Sequence, residues 1–386
     1  MPAIYMDYQA TTPPDPRVVE RMRDGHESGQ GFANPHSVSH DLGRSAAAEV
    51  AASRRSVATL IGADDDEIVF TSGATEANNL AILGTCHDLT DRNEIVVSAI
   101  EHKSVLAAAR HLESKGFVVR KAHVDAAGRV DMDHLHDLIG SSTRLVSVMA
   151  TNNEIGVEQD IAPIAALCRN AGCLFHVDAA QALGTFAVDA YEWGADFLSL
   201  SSHKVYGPKG IGALFVARDA RRHIRSIMFG GDQEDGLRPG TLAPNLCTGF
   251  GEACNILASE RSDEIVRLVG LRDRFLSKLR ERIPAYEING TLTGRHPANL
   301  NIRFPGIEAD QMLAMCEGRV AAATGSACTS GIPEPSHVLI ALGRTSREAN
   351  ESIRFSFGRF TTAEDIDATV EALSAATALL DGLADA

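Results

Sequence analysis

Between Glu67 and Val216 the chain alternates short runs of β-forming residues with Ala-rich amphipathic stretches, and this alternation restricts its fold more than any other feature. The β-like runs are Glu67 to Thr71, Glu94 to Ser98, Leu145 to Met149, Leu174 to Val177, Phe197 to Ser201 and Ile211 to Val216. Glu76 to Leu83, Ser104 to Lys115 and Pro163 to Ala171 lie between them with apolar residues at helical spacing. Strands separated by helices pair in parallel through crossovers, so the fold class is α/β: a mostly parallel central sheet sandwiched by helices. Ligands of such sheets sit beyond the carboxyl ends of the strands, and candidate functional residues are those that follow a strand directly.

From about Ile256 the texture changes to a long charged helix, Ser259 to Arg282. Then come Asn299 to Phe304, Gly318 to Ala323 and Arg354 to Ser356 as strands among helices, the last helix running from Ala363 to Leu383. The expected division is a large domain over residues 14–258 and a smaller α+β domain built from 1–13 and 259–386. At 386 residues and 44% hydrophobic, the chain can bury a large core. It has no internal repeat or Gly/Ser-rich linker, so the two parts should pack closely. The 36 Lys plus Arg against 51 Asp plus Glu give a net charge of -15, which repels nucleic acid and acidic membrane surfaces. The seven cysteines are scattered, without a C-x-x-C pair or a His spacing suited to zinc, and read as reduced thiols with no metal site. Acids and prolines fill Met1 to Asp15 where a signal peptide needs a basic start and an apolar stretch, and no apolar run is long enough to span a bilayer. The expectation is a soluble cytoplasmic protein.

Four segments carry candidate chemistry. Thr71-Ser72-Gly73-Ala74-Thr75-Glu76 joins a strand to a helix; its small residues suit a phosphate at the helix N-terminus, and read equally well as an ordinary cap built on Ser72 or Thr75. His176-Val177-Asp178-Ala179-Ala180-Gln181 ends an apolar strand on a carboxylate, suited to a protonated pyridine nitrogen or to simple capping. Ser199-Leu200-Ser201-Ser202-His203-Lys204 sets a lysine among apolar and hydroxyl neighbours, where an amine loses its proton more easily. Lys204 is the better nucleophile candidate than Lys209, which sits in the Gly-Pro turn Gly207-Pro208-Lys209-Gly210. In Ala323-Thr324-Gly325-Ser326-Ala327-Cys328-Thr329-Ser330-Gly331, a cysteine lies among small, turn-forming residues that suit an accessible thiolate; the other six cysteines read as buried small hydrophobes.

These segments in this order, with His102 in Glu101-His102-Lys103-Ser104 and Asn153 in Asn152-Asn153-Glu154-Ile155-Gly156, resemble the cysteine desulfurases, class V aminotransferase relatives among the fold-type I enzymes dependent on pyridoxal 5'-phosphate. The resemblance runs from Met6-Asp7-Tyr8-Gln9-Ala10-Thr11-Thr12 to Arg354-Phe355-Ser356-Phe357-Gly358-Arg359-Phe360. It implies Lys204 as the Schiff-base lysine, His102 stacked on the cofactor ring, Asp178 at the pyridine nitrogen and Gln181 at the phenolic oxygen. Ala74, Thr75, Ser201 and His203 would bind phosphate, with Thr241 supplied by the other subunit of a homodimer. Arg354, helped by Asn153, would clamp the carboxylate of an L-cysteine substrate. Cys328 would receive its sulfur as a persulfide, leaving alanine, and pass it to a sulfur-acceptor protein. The segment through Pro335-Ser336-His337 is similar to the longer-loop group, which delivers sulfur to separate proteins. The chain departs from the family's pattern at Asp232, where a third glycine is usual, and at Asp235. It ends at Ala386 without the tail by which housekeeping iron-sulfur members dock their scaffold, which leaves room for a dedicated role such as nitrogenase-type cluster supply or DNA phosphorothioate modification. The rival readings are a selenocysteine lyase or another class V aminotransferase, and a non-catalytic sulfur carrier.

Overall fold

The computed structural model describes residues 3–27, 32–324 and 334–384; Cys328 lies outside them. The strands are β1 Ile4–Tyr5, β2 Ile68–Thr71, β3 Glu94–Ser98, β4 Val118–Ala122, β5 Thr143–Ser147, β6 Leu174–Asp178, β7 Phe197–Ser201, β8 Gly212–Val216, β9 Glu287–Ile288, β10 Asn299–Arg303, β11 Val320–Ala321, β12 Ala323–Thr324 and β13 Ser352–Ser356. Seven of them form the central sheet in the order β2-β8-β7-β6-β5-β3-β4. From β7 to β4 every pairing is parallel, whereas β8 runs antiparallel to both its neighbours.

Alternate residues of the same strands feed two cores, one on each face. Val96, Val146, Phe175, Leu198 and Phe215 join one cluster. Ile95, Val97, Leu145, Phe197 and Leu214 join the other. This period of two, with both faces covered, explains why every position of β7 and β8 is buried, Ser199 and Ser201 included. Strand β4, which sequence patterning does not single out, is the opposite case: it forms an edge, and Arg120 and Lys121 keep it half in water.

A third core, containing Phe275, Leu300, Ile302, Phe355 and Leu373, lies under the antiparallel sheet β12-β13-β10-β9 and the parallel pair β1-β11. The run Gly318 to Ala323, expected as one strand, divides into two. Val320 and Ala321 pair with β1, whereas Ala323 and Thr324 pair with β13. Short runs carry no record of their partners, so this exchange of sheets is decided by what packs nearby.

The helix expected to begin at Ser259 begins at Pro244 and runs to Arg282. Its first part, through Leu257, is buried in the large core; from Leu268 the buried residues belong to the third. The change in composition marks a change of surroundings along one rod and not its start. Proline at the first helical position needs no amide donor there, which suits it to begin the helix. The expected domain division at 258/259 falls inside this helix.

Candidate active site

Strand β2 delivers Thr71 into a turn from which the helix Ala74–Thr85 starts at Gly73, with φ at 148°. That angle favours glycine, and no side chain caps the helix. Ser72 and Thr75 therefore do not form the ordinary cap that the sequence left open. Ser72 is instead tied through its amide, which donates to Glu76 at 2.7 Å. The uncapped first-turn amides present donors and a positive dipole end suited to an anion. Gly212 pairs with both Thr71 and Ser201, and a Cβ on Gly212 would come within 2.7 Å of the Gly73 Cα. Ser201 is thereby brought beside the turn, its buried Oγ without a hydrogen-bond partner. His203 follows, with Nδ1 3.0 Å from Thr11 Oγ1 and its pKa lowered to about 4 by burial. Arg238 pairs with Glu76 at 2.7 Å at the foot of the same turn, while Thr241 is exposed.

Strand β6 ends on Asp178, whose two oxygens accept from Ala180 N at 3.0 Å and Asn78 Nδ2 at 2.8 Å. Asn78 lies one turn into the uncapped helix, and its Nδ2 also donates to Ser104 Oγ at 2.9 Å. Ser104 Oγ is 2.7 Å from Nδ1 of His102, which caps the helix Lys103–Glu113. A continuous chain of contacts thus joins Asp178 to His102, through two residues that the motif reading did not single out. Burial holds the His102 pKa below its ordinary value.

Strand β7 leads through Ser202 to Lys204, whose Nζ donates to the carbonyls of Gln9 at 2.5 Å and Ala10 at 2.9 Å. Gln181 Nε2 donates to the same Gln9 carbonyl at 2.9 Å. The N-terminal segment thereby holds the amine and the amide side by side. Lys209 is exposed, as its turn predicted. Gln9 was visible in the sequence only as part of a motif, with nothing local to reveal its contacts.

Arg354 projects from β13 with Nη2 on Asp7 Oδ1 at 2.6 Å and Nη1 on the Asn153 carbonyl at 2.8 Å. Its Nε is buried with no partner, an unmet cationic donor suited to a carboxylate. Asn153 enters through its main chain, in a turn fixed by Asn152 Oδ1, which accepts from the amides of Glu154 and Ile155 at 2.8 and 2.9 Å. The segments flanking residues 325–333 meet this same region. Ala323 pairs with Arg354 in register. On the C-terminal side, Ser336 Oγ donates to Glu154 Oε2 at 2.5 Å, and His337 Nε2 lies 2.9 Å from the Glu101 carbonyl. The other six cysteines are all buried.

The site therefore gathers an uncapped helix end, an amine, a carboxyl, an imidazole and a partly unpaired guanidinium, equipment for holding an anionic cofactor and an amino acid. The class-V aminotransferase family matches residues 4–369 of the chain. The chain is 47% identical to the cysteine desulfurase IscS of Pseudomonas aeruginosa over 94% of its own length and 90% of that protein's. A solved NifS-like protein superposes with a TM-score of 0.90 at 31% identity, over 98% of this chain and 100% of that one. The structure of SspA in complex with cysteine gives 0.82 at 33% identity, over 93% and 100%.

Proposed function

Because the chain belongs to the class-V aminotransferases, and among them to the cysteine desulfurases, we propose that Lys204, His102, Arg354 and Cys328 are the residues that carry its chemistry. The enzyme converts L-cysteine to L-alanine and transfers the sulfur. The observation that carries the assignment of roles is the unmet buried Nε of Arg354, set on a strand paired with the segment that leads to Cys328.

The residues fit pyridoxal phosphate. The uncapped turn at Gly73, the partnerless Ser201 Oγ and His203 supply a cradle for its phosphate, with Ala74 and Thr75 giving main-chain donors. Asp178 would face the ring nitrogen, Gln181 the phenolic oxygen and His102 the ring. Bound there, the cofactor supplies an electron sink that stabilises negative charge at the substrate Cα. Arg354, steadied by Asp7 and the Asn153 carbonyl, orients the substrate carboxylate. The Lys204 amine takes the Cα proton, since it stands at the end of β7 within the same cluster. The Cys328 thiolate attacks the substrate sulfur and a persulfide forms on Cys328; the electron pair of the broken carbon–sulfur bond stays with the carbon skeleton, which takes up a proton at Cβ, regains one at Cα and leaves as alanine.

Thr241 would reach the phosphate of a second copy, completing a homodimer. The full exposure of Phe229, in the chain segment that leads to Thr241, supports a surface that another copy covers. The sulfur passes to an acceptor protein, in iron–sulfur cluster assembly or in a dedicated pathway such as DNA phosphorothioate modification or tRNA thiolation. No described helix is long and apolar enough to cross a membrane, and a cytoplasmic setting suits the buried free thiols.

The test is alanine release from L-cysteine with a reducing acceptor present. Cys328→Ser should lower it by about 10²-fold or more; release at the unsubstituted rate would remove Cys328 from the reaction. Lys204→Ala should abolish turnover and the visible absorbance of the lysine-bound cofactor, and an unchanged spectrum would exclude Lys204.

A further inference from the structure

The geometry points to a fixed protonation pattern for His102: Ser104 and Asn78 hold its imidazole neutral with the proton on Nε2, so that it offers the reaction a hydrogen-bond donor and no base. Its consequence for catalysis rests on the reading of His102 as a residue of the cofactor site; the pattern itself rests on contacts alone.

The deciding contact is with the backbone. The Ser104 amide lies 3.2 Å from His102 Nδ1 and points at it, because the imidazole serves as the cap of the helix Lys103–Glu113. A backbone amide cannot surrender or reverse its proton, so Nδ1 must present a lone pair. Ser104 Oγ is 2.7 Å from the same nitrogen. A hydroxyl can turn either way; with Nδ1 already an acceptor, this one points its proton at that nitrogen while its oxygen accepts from Asn78 Nδ2 at 2.9 Å.

The orientation of Asn78 is fixed in turn. The second Nδ2 proton goes to Asp178 Oδ2 at 2.8 Å, and reversing the amide would set Oδ1 against that acidic oxygen. Asn78 is fully buried and its Oδ1 has no partner, so the amide is placed for the sake of its donors. Donation therefore runs from Asn78 to Ser104 and from Ser104 to His102, with Asp178 Oδ2 taking the other Asn78 proton.

An imidazolium would need a proton on Nδ1, against two donors and the positive end of a helix. Burial disfavours the cation as well, and of the charged groups around the ring Asp178 favours it while Lys204, His337 and Lys103 oppose it. With its proton on Nε2, the ring has no lone pair on that nitrogen, and proton acceptance from the substrate falls to Lys204. Ser104 and Asn78 are positioning residues, acting through His102.

Nitrogen NMR of the full-length, cofactor-bound protein with 15N-labelled histidine tests this at neutral pH, His102 being assigned by its loss in His102→Gln. The expected spectrum shows a protonated Nε2 and a bare, hydrogen-bonded Nδ1. Ser104→Ala should move the Nδ1 resonance toward that of a less strongly bonded nitrogen while Nε2 stays protonated, and Ser104→Thr should restore it. A proton on Nδ1, an imidazolium, or an Nδ1 signal that Ser104→Ala leaves in place would overturn the inference. None of these readouts depends on turnover, so failure of the desulfurase reading would show separately, as cysteine giving no alanine.

Discussion

Beside His102, Glu101 shows how much a single buried carboxyl can alter. Its Oε1 accepts from Ser98 Oγ at 2.8 Å and Met149 N at 2.6 Å, while Oε2 has no partner. Burial, and after it the nearby Asp178, pushes its pKa from 4.5 up to about 8. A raised pKa means that the folded chain keeps a proton which the unfolded chain has released. Its contribution to stability is therefore complete below about pH 4.5 and is lost as pH rises through about 8. Glu101→Gln removes that dependence: measured by calorimetry at several pH values, the variant's melting temperature should gain on the parent's as pH rises from 5 to 8.5. A constant difference would mean that Glu101 does not titrate in that window. Arg354→Lys keeps the charge and loses the planar fork, so KM for cysteine should rise by about 10- to 100-fold, as read from initial rates.

Among the elements, the helix Pro244–Arg282 carries the most structure, since its two ends sit in different cores. Phe275, fully buried against Phe355 and Phe357 with ring centroids 5.1 and 5.6 Å away, anchors the second part. Phe275→Ala should destabilise the chain by about 3–5 kcal/mol in denaturant unfolding, through lost transfer energy and the cavity left behind. The turn before the helix Ala74–Thr85 depends on backbone freedom instead. A Cβ at Gly73 would meet nothing within 4 Å, so only the φ of 148° opposes it. Gly73→Ala should therefore cost about 1–3 kcal/mol and weaken retention of pyridoxal phosphate, as read by titrating the cofactor into the stripped protein.

Arg359 fastens the two ends of the molecule together. Its Nη1 donates to Asp15 at 2.7 Å, its Nη2 to Glu264 at 2.8 Å, and its guanidinium lies 4.2 Å from the Tyr206 ring centre. Hydrogen bonding to Arg17, then to Arg359, holds the buried Asp15 carboxyl well below the usual carboxylate range. A depressed pKa gives stability that is present above the ordinary value of 3.8 and lost as pH falls below it. Arg359→Leu leaves Asp15 and Glu264 short of a partner and should cost about 3–5 kcal/mol at pH 7. The deficit should shrink on acidification toward pH 3, as followed by thermal unfolding; a deficit independent of pH would assign it to lost packing alone.

The sequence by itself determined the alternation of strands and helices through the central sheet, its edge strand β4 excepted, the strand-end positions of Asp178 and Lys204, and the resemblance that placed Cys328 and Arg354 in one family pattern. Periodicity can do this because burial on a strand or a helix repeats every two or every 3.6 residues, and each residue records its own share. Only the tertiary structure decided that β8 would enter antiparallel between β2 and β7, and that the chain would change sheets between Ala321 and Ala323. It also decided that Gln9 would hold Lys204 and that Asn78 would join Asp178 to Ser104. Asn78 and Asp178 are a hundred residues apart, and neither one's neighbours in the chain carry a sign of the other. Such pairings follow from the packing of the whole molecule, where the cost of leaving a buried polar group unmatched selects its partner.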